Sequence, residues 1–317
     1  MSGQKKAVWR GLGRLLTLAF FVVVVLLLAK QVRSVEWGQV LDTMRQRPVT
    51  DLLAAALLAA ASFALYSCFD LLGRRLTGHA LPVRRVMTIN FISYVFNLNI
   101  GAMVGGVAFR YRLYSRFGLG ADAITQVVAM SMLTNWIGYV LLTGLVFLRP
   151  PVALPDGWRI GTIGLQALAG VLLAAALAYL LLCAFSRRRW SFRGRELWLP
   201  SGRMALLQFG MSSLNWMLMA ATLFVLLEQK IAYAMVLGSL LVAAIAGVIT
   251  HIPAGLGVLE AVFVALLPGW YPRSELLAAL LTYRVIYYLL PLTLAGLIYL
   301  NIELRANKDG RRMARET

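Results

Sequence analysis

The stretch His251-Ile252-Pro253-Ala254-Gly255-Leu256-Gly257 interrupts a run that is otherwise apolar from Ile231 to Pro268. Proline removes an amide donor and clashes with the preceding helical turn, and glycine raises the entropic cost of helix. Backbone released from helix at membrane depth survives only where protein or a water-filled cavity satisfies it. Pro253, Gly255 and Gly257 therefore predict one of two arrangements for Ile231–Pro268: a hairpin that dips in and returns, or two short crossings. A second interruption, Gly101, Gly105 and Gly106, falls inside the apolar region Val86–Phe109.

The flanking sequence has the composition of a membrane protein. The chain has 317 residues, of which 60% are hydrophobic, against about 45–50% for a soluble domain. A bilayer core of about 30 Å needs roughly 20 apolar residues as helix. Uninterrupted runs that meet this are about Leu12–Ala29, Asp51–Leu72, Asp122–Leu148, Ile160–Phe185, Met204–Leu227 and Glu275–Asn301. Basic residues Lys5, Lys6, Arg10 and Arg14 precede the first run as in a signal peptide. No small-x-small cleavage site follows, so this run is read as a retained helix. The expectation is an all-α polytopic membrane protein, one membrane domain over 1–317. It has about six full spans plus two Gly/Pro-broken re-entrant hairpins, eight hydrophobic regions in all.

The formal net charge is +18. In a soluble chain that would suggest nucleic acid. Here the basic residues lie between apolar segments, where they set topology and meet anionic head groups, so nucleic acid is not an expected partner. With a cytoplasmic N-terminus and broken regions that return to their own side, 22 of the 31 Lys and Arg fall inside and 8 outside. Arg284 lies within a helix. A full crossing by Val86–Phe109 would put Arg187–Arg203 outside, against the positive-inside rule. Both termini are thus expected in the cytoplasm, with 302–317 as a basic cytoplasmic tail. The count leaves both arrangements of Ile231–Pro268 open.

An internal comparison links the two breaks. Shifted by 152 residues, Asn99-Ile100-Gly101-Ala102-Met103-Val104-Gly105 falls on His251 to Gly257, and Leu142–Leu148 falls on Leu294–Leu300. The first helix falls on Ala167–Leu181 and the second on the Met204–Leu227 helix, without a gap. The register predicts a duplicated plan with halves 12–148 and 160–301. Three crossings per half would invert the second. Inverted repeats with paired broken segments point to a transporter's midplane site.

Chemistry concentrates at these breaks. Helix ends at Gly105–Gly106 and Gly255–Gly257 could offer amides to a phosphate; close helix packing through small residues is the alternative. Glu260 lies in an apolar run, where an unpaired carboxylate costs about 2.5–3.5 kcal/mol. It should be paired, protonated or facing water, with Arg284, Arg110 and Arg112 as candidate partners. His251 is either a proton carrier or a cap for exposed backbone. Asn99 sits at the first break, and Asn90, Asn97, Asn135 and Asn215 read as interhelical hydrogen-bonding groups. Asp70 is expected to pair locally, near Arg74-Arg75. Arg116 is expected to be a solvated, lipid-contacting charge. Cys68 and Cys183 fit no zinc or disulfide pattern, and two histidines are too few for a His-rich metal site. Enzyme signatures such as H-E-x-x-H, G-x-S-x-G and the Walker loop are absent. A non-enzyme without cofactor or metal is expected.

Pro253-Ala254-Gly255-Leu256-Gly257-Val258-Leu259-Glu260 resembles the P-x-G-x-G-x-x-E signature of the lysylphosphatidylglycerol synthase transmembrane (flippase) region. Asn97-Leu98-Asn99 through Gly105-Gly106 and Arg110 is similar to that family's more variable first break. The likeness covers nearly the whole chain. It implies a helical bundle in the bacterial inner membrane with a cavity for phospholipid. In two-domain relatives this region moves aminoacylated phosphatidylglycerol between leaflets, and a cytosolic domain makes it. Only Arg305–Thr317 follows the last span here, so lipid handling is expected rather than aminoacyl transfer. Gly101 and Ala108 stand where the second break has Pro253 and Glu260, so a carboxylate role carries over to Glu260 alone.

The combined expectation is a translocase or lipid-binding protein for an anionic phospholipid such as phosphatidylglycerol or cardiolipin. Arg110, Arg112 and Arg284 would attract the phosphate, and the glycine breaks would cradle it. Three rival readings are a non-transporting accessory of a lipid-synthesising enzyme, a small-solute or ion-coupled transporter, and a membrane enzyme.

Overall fold

The computed structural model describes Gly38, Arg45 and residues 47–151, 161–185, 190–192, 195–197, 199–250 and 252–316. The first expected span, Leu12–Ala29, and His251 lie outside the described residues. The elements are α1 (Val49–Ser67), α2 (Phe69–Thr77), α3 (Val83–Ile100), a π-helical segment (Ala102–Ala108), α4 (Phe109–Arg116), α5 (Ala121–Leu148) and α6 (Thr162–Phe185). Then come α7 (Gly202–Leu226), α8 (Tyr233–Thr250), a 3-10 turn (Pro253–Gly255), α9 (Val258–Leu266), α10 (Arg273–Arg284), a second π-helical segment (Val285–Leu289) and α11 (Leu290–Glu316). A short antiparallel pair, Trp190–Phe192 with Arg195–Leu197, lies in the basic stretch between α6 and α7.

Local sequence sets the element ends. Prolines 48, 82 and 272 immediately precede α1, α3 and α10, where a missing amide costs nothing and φ is already suitable. Helix α2 stops at Gly78, which adopts the left-handed conformation of a helix C-terminus. Ser201 caps α7 by accepting from the Met204 amide. Where the charge pattern predicts a basic tail, the backbone remains helical to Glu316.

Among the described residues, six helical stretches are long and apolar enough to cross a membrane: Val49–Thr77, Ala121–Leu148, Thr162–Phe185, Gly202–Leu226, Tyr233–Thr250 and Arg273–Arg305. Five coincide with uninterrupted apolar runs, and Tyr233–Thr250 is the first arm of the broken region Ile231–Pro268. Its second arm, α9, has 9 residues, about 14 Å of helix, too short for a 30 Å core. Helix α9 packs back against α8, and the first π-helical segment packs back against α3. In both broken regions the chain after the break thus folds back on the helix before it, a helical hairpin in backbone shape.

The bundle centres on α7, which lies along α1 and α5; α2 packs on α5, and α6 covers α5 from outside. Close approach is encoded by glycine. A Cβ at Gly138 would stand 2.3 Å from Ser212 Oγ, which fixes the α5–α7 contact. Hydroxyls and amides then join the helices. Gln208 donates to Thr134 at 2.9 Å, Tyr139 to the Leu241 carbonyl at 2.9 Å, and Ser212 to the Asn135 carbonyl at 2.8 Å. Asn215 accepts from Ser62 at 2.8 Å, and Ser62 also bonds the Tyr287 hydroxyl at 2.6 Å. Apolar side chains turned outward on α6, such as Ile163, Val171 and Phe185, suit a lipid surround, where lipid tails compete equally with other helices.

One end of the bundle is tied by exposed charge. Lys230 reaches Glu228 at 2.8 Å and Glu275 at 2.7 Å. Its hydrogen bond holds the Glu228 carboxyl below the usual carboxylate range.

Candidate functional site

The two hairpins meet. Helix α3 packs against the Pro253–Gly255 turn, and α1 and α3 both touch the second π-helical segment. An arginine adjoins each π-helical segment, a local widening frequent at functional sites. Arg110 lies two residues after the first segment and Arg284 immediately before the second.

Arg284 holds the second break together. Its Nε and Nη2 donate to the two carboxylate oxygens of Glu260, the latter at 2.9 Å. Its remaining contacts are backbone carbonyls of the break, Ala254 at 3.1 Å and Gly255 at 2.9 Å. Ala254 has φ of +57°, a region that side-chain-bearing residues rarely adopt. The guanidinium satisfies the carbonyl that this turn releases. Glu260 sits in the first turn of α9, where the helix N-terminus favours an anion. The guanidinium also stands 5.6 Å from the centre of the Tyr288 ring.

Arg110 is engaged more completely. Its Nε and Nη2 donate to Asp70 at 3.0 and 3.2 Å, Nη1 to the Gly106 carbonyl at 2.8 Å, and Nη2 also to Ser131 at 3.1 Å and to Asn90. Tyr114 donates to Asp70 at 2.9 Å. Asn90 donates to the Tyr66 carbonyl at 2.7 Å. The expectation that Asp70 pairs near Arg74-Arg75 is thus corrected. Its partner lies 40 residues away, because α4 folds back toward the start of α2.

The two ion pairs differ in access. The Arg110 and Asp70 side chains are 3% and 0% exposed, whereas Arg284 is 4% and Glu260 16% exposed. The Arg110 pair is sealed, and the Glu260 carboxylate is reachable.

A third cluster closes α4 onto α11. Glu303 accepts from Arg112 at 2.9 Å and pairs with Arg116 at 2.8 Å. Arg116 is exposed, as expected of a solvated charge, and the last helix also supplies it a counter-ion. Arg112 is half-buried against Glu303.

The glycines shape the breaks. Gly101, with φ of +106°, turns the first hairpin, and Gly257, with φ of +78°, starts α9. Gly105 lets that hairpin close, since a Cβ there would lie 2.1 Å from the Asn97 nitrogen. The Gly105 and Gly255 amides donate at 2.9 Å to the carbonyls of Gly101 and Ile252, so the turns themselves use these two groups. The Gly106 carbonyl serves Arg110. Asn99 is buried and donates to the Val95 carbonyl one turn back, at 2.8 Å. Pro253 opens the 3-10 turn. Among the described residues there is no group of three or more metal-ligating side chains.

Sequence reasoning passed over the aromatic side chains that join the two clusters. From the Asn90 end, Tyr66 stacks on Tyr94, Tyr94 lies 5.4 Å from Phe63, Phe63 4.9 Å from Tyr287, and Tyr287 stacks on Tyr283 at 5.2 Å, next to Arg284. The pair Tyr283-x-x-x-Tyr287, four residues apart on one helix face, was the available signal.

Comparison with known proteins agrees with this architecture. The sequence pattern described as the lysylphosphatidylglycerol synthase TM region matches residues 14–296. The chain is 46% identical over 302 residues to the inner membrane protein YbhN of Escherichia coli, covering 95% of each protein. It is 30% identical to the uncharacterized protein slr0712 of Synechocystis, covering 87% of each. It is 24% identical over 285 residues to the phosphatidylglycerol lysyltransferase of Staphylococcus haemolyticus, covering 87% of this chain and 32% of that protein. A multi-pass helical bundle matched along nearly its whole length in this way belongs to the family of the lysylphosphatidylglycerol synthase transmembrane region.

Proposed function

We propose that this protein binds an anionic phospholipid at the Arg284–Glu260 pair and moves it between leaflets. The observation that carries the reading is the partial access of Glu260 beside a guanidinium that already holds a strained turn. A lipid phosphate reaching Arg284 would replace one anion by another, so the exchange needs no unpaired buried charge at either stage. The Glu260 carboxylate, once displaced, turns toward the opening or takes a proton. Arg110 and Arg112 serve the same head group indirectly, by holding the first hairpin and the last helix in place. The family match and the relative named as a phosphatidylglycerol lysyltransferase support phosphatidylglycerol-like lipids as the substrate class.

In this reading the halves 12–148 and 160–301 are inverted copies, both hairpins are re-entrant, and both termini are cytoplasmic. Accessibility labelling of single cysteines tests the topology. A cysteine at Met103 should label from the cytoplasmic side and one at Ile252 from the opposite side. Labelling of both from one side would remove the inverted repeat.

Translocation is tested in proteoliposomes with fluorescent phosphatidylglycerol. Arg284→Ala loses charge-assisted hydrogen bonds to the phosphate, each worth about 1.5–3 kcal/mol, so the rate should fall by about tenfold or more. Glu260→Gln should also slow turnover, because the guanidinium then retains the lipid. Equal rates in liposomes with and without the protein would reject the proposal.

A further inference from the structure

A cavity of about 480 Å³ lies between α1 and α11. Ala56, Ala60 and Ala64 form its wall on α1, and Leu290, Leu294 and Ile298 form the wall on α11. Both rows repeat every four residues, so each is a single ridge on one helix face. Alanine on one side leaves room that larger residues would fill. Phe63 and Phe91 form the floor, 5.8 Å apart edge to face.

The dimensions select an occupant. From Ala56 to Ser67 the groove follows eleven residue steps of α1, about 16 Å at 1.5 Å per residue, which is half of a 30 Å hydrocarbon core. The volume divided by this length gives a cross-section of about 30 Å². A single extended hydrocarbon chain fits a groove of this width. Both walls belong to helices long and apolar enough to cross the membrane, so the groove opens into hydrocarbon rather than water.

The groove has different neighbours along its length. Ser67 closes one end, and its carbonyl accepts from Asn90, the residue that also binds Arg110. Ile286, two residues past Arg284, also lines the groove, and its neighbour Tyr287 bonds Ser62, about midway between Ala56 and Ser67. The groove therefore has a hydrogen-bond partner of the sealed ion pair at its Ser67 end and passes close to the accessible pair at Ile286.

We propose that this groove holds one acyl chain of a membrane phospholipid, with the head group at the Arg284–Glu260 pair and the chain terminus toward Ser67. The assignment rests on the lipid-handling reading and adds to it the place and direction of the tail. Head-group recognition at Arg284 then occurs only for a lipid whose chain is seated, which favours a diacyl phospholipid over free phosphate or glycerol phosphate.

The test uses phosphatidylglycerol carrying a photoactivatable diazirine on one acyl chain, either near the carbonyl or near the methyl end. The full-length protein is reconstituted in phosphatidylglycerol–phosphatidylethanolamine vesicles. Label should concentrate on the peptides spanning 56–67 and 286–298, above the equally lipid-exposed α6. The carbonyl-end probe should mark the Ile286 side and the methyl-end probe the Ser67 side. Ala60→Trp combined with Ala64→Trp fills the groove from exposed positions and should cut this labelling about tenfold, the equivalent of 1.4 kcal/mol. Leu57→Trp, on the same helix but outside the groove, should leave it unchanged. Labelling of the wild type in proportion to exposure alone overturns the proposal, whether or not the tryptophan variant folds. A reversed order of the two probes overturns the direction. Groove labelling without lipid movement would sustain the acyl site and reject the translocase. Lipid movement with uniform labelling would do the opposite.

Discussion

Asp70→Ala should cost the protein about 3–5 kcal/mol of stability, the usual penalty for leaving a buried charge without its partner. The Arg110 guanidinium is wholly enclosed, and Asp70 supplies its only counter-charge among the contacts at 3.0 and 3.2 Å. Asn90, Ser131 and the Gly106 carbonyl would keep their hydrogen bonds in the variant but neutralise nothing. Arg110→Ala should be as damaging, since it strands the Asp70 carboxylate with only the Tyr114 hydroxyl near it. Replacing both residues together, Asp70→Leu with Arg110→Met, should recover much of the loss, because an apolar pair of similar volume carries no desolvation cost. Tyr114→Phe removes one hydrogen bond and should cost about 1 kcal/mol. Thermal unfolding in detergent and the amount of protein reaching the membrane measure all four. A wild-type melting temperature for Asp70→Ala would show that the pair is not structural, and Arg110 would return to the list of head-group ligands.

Gly105→Val should prevent the first hairpin from closing, and Gly105→Ala should destabilise by about 1–3 kcal/mol or more, as overpacking in a rigid contact does. An added Cβ would meet the Asn97 nitrogen and the Phe96 carbonyl carbon, each at 2.1 Å. Both are backbone atoms of α3, so no side-chain rotation relieves the clash. The two arms would have to separate, which would also move the Gly106 carbonyl away from Arg110. Gly210→Ala is the matched control. It lies within α7, its Cβ would meet nothing within 4 Å, and alanine favours helix over glycine by about 0.5–1 kcal/mol. A melting temperature for Gly105→Ala equal to that of Gly210→Ala would mean that the arms are not held at this distance.

The membrane bundle was legible in the sequence because it depends on summed hydropathy, which needs no knowledge of contacts. Five of the uninterrupted runs reappear as helices within a few residues of their expected ends. The helix breaks were legible for a related reason. Pro253, Gly255 and Gly257 act through local backbone preferences, and the turns fall on them. Pairing across the fold was legible only where few choices existed. Glu260 lies in an apolar run with few cations within reach, and Arg284 is the one that engages it. Asp70 shows the limit of this approach. Arg74 lies one turn from Asp70 on the same helix face, yet it donates to the Leu81 carbonyl and Arg75 is exposed, while tertiary folding brings Arg110 to Asp70. Glu303 was overlooked because it follows the last apolar run, where charge is ordinary. The tyrosines were overlooked because hydropathy scores a buried hydroxyl as part of an aromatic residue and says nothing of its partner.

The aromatic file from Tyr66 to Tyr283 also bears on how such a bundle can move. The end pairs Tyr66–Tyr94 and Tyr283–Tyr287 are in face contact and the middle rings are tilted against one another, so the file packs as a strut set across the molecule. Its ends rest against the two ion pairs, one sealed and one open. Structure built around a strut can tilt about it with little loss of contact but cannot shear across it. The file is therefore a natural fulcrum, and rocking of one hairpin against the other is the motion this packing permits at least cost.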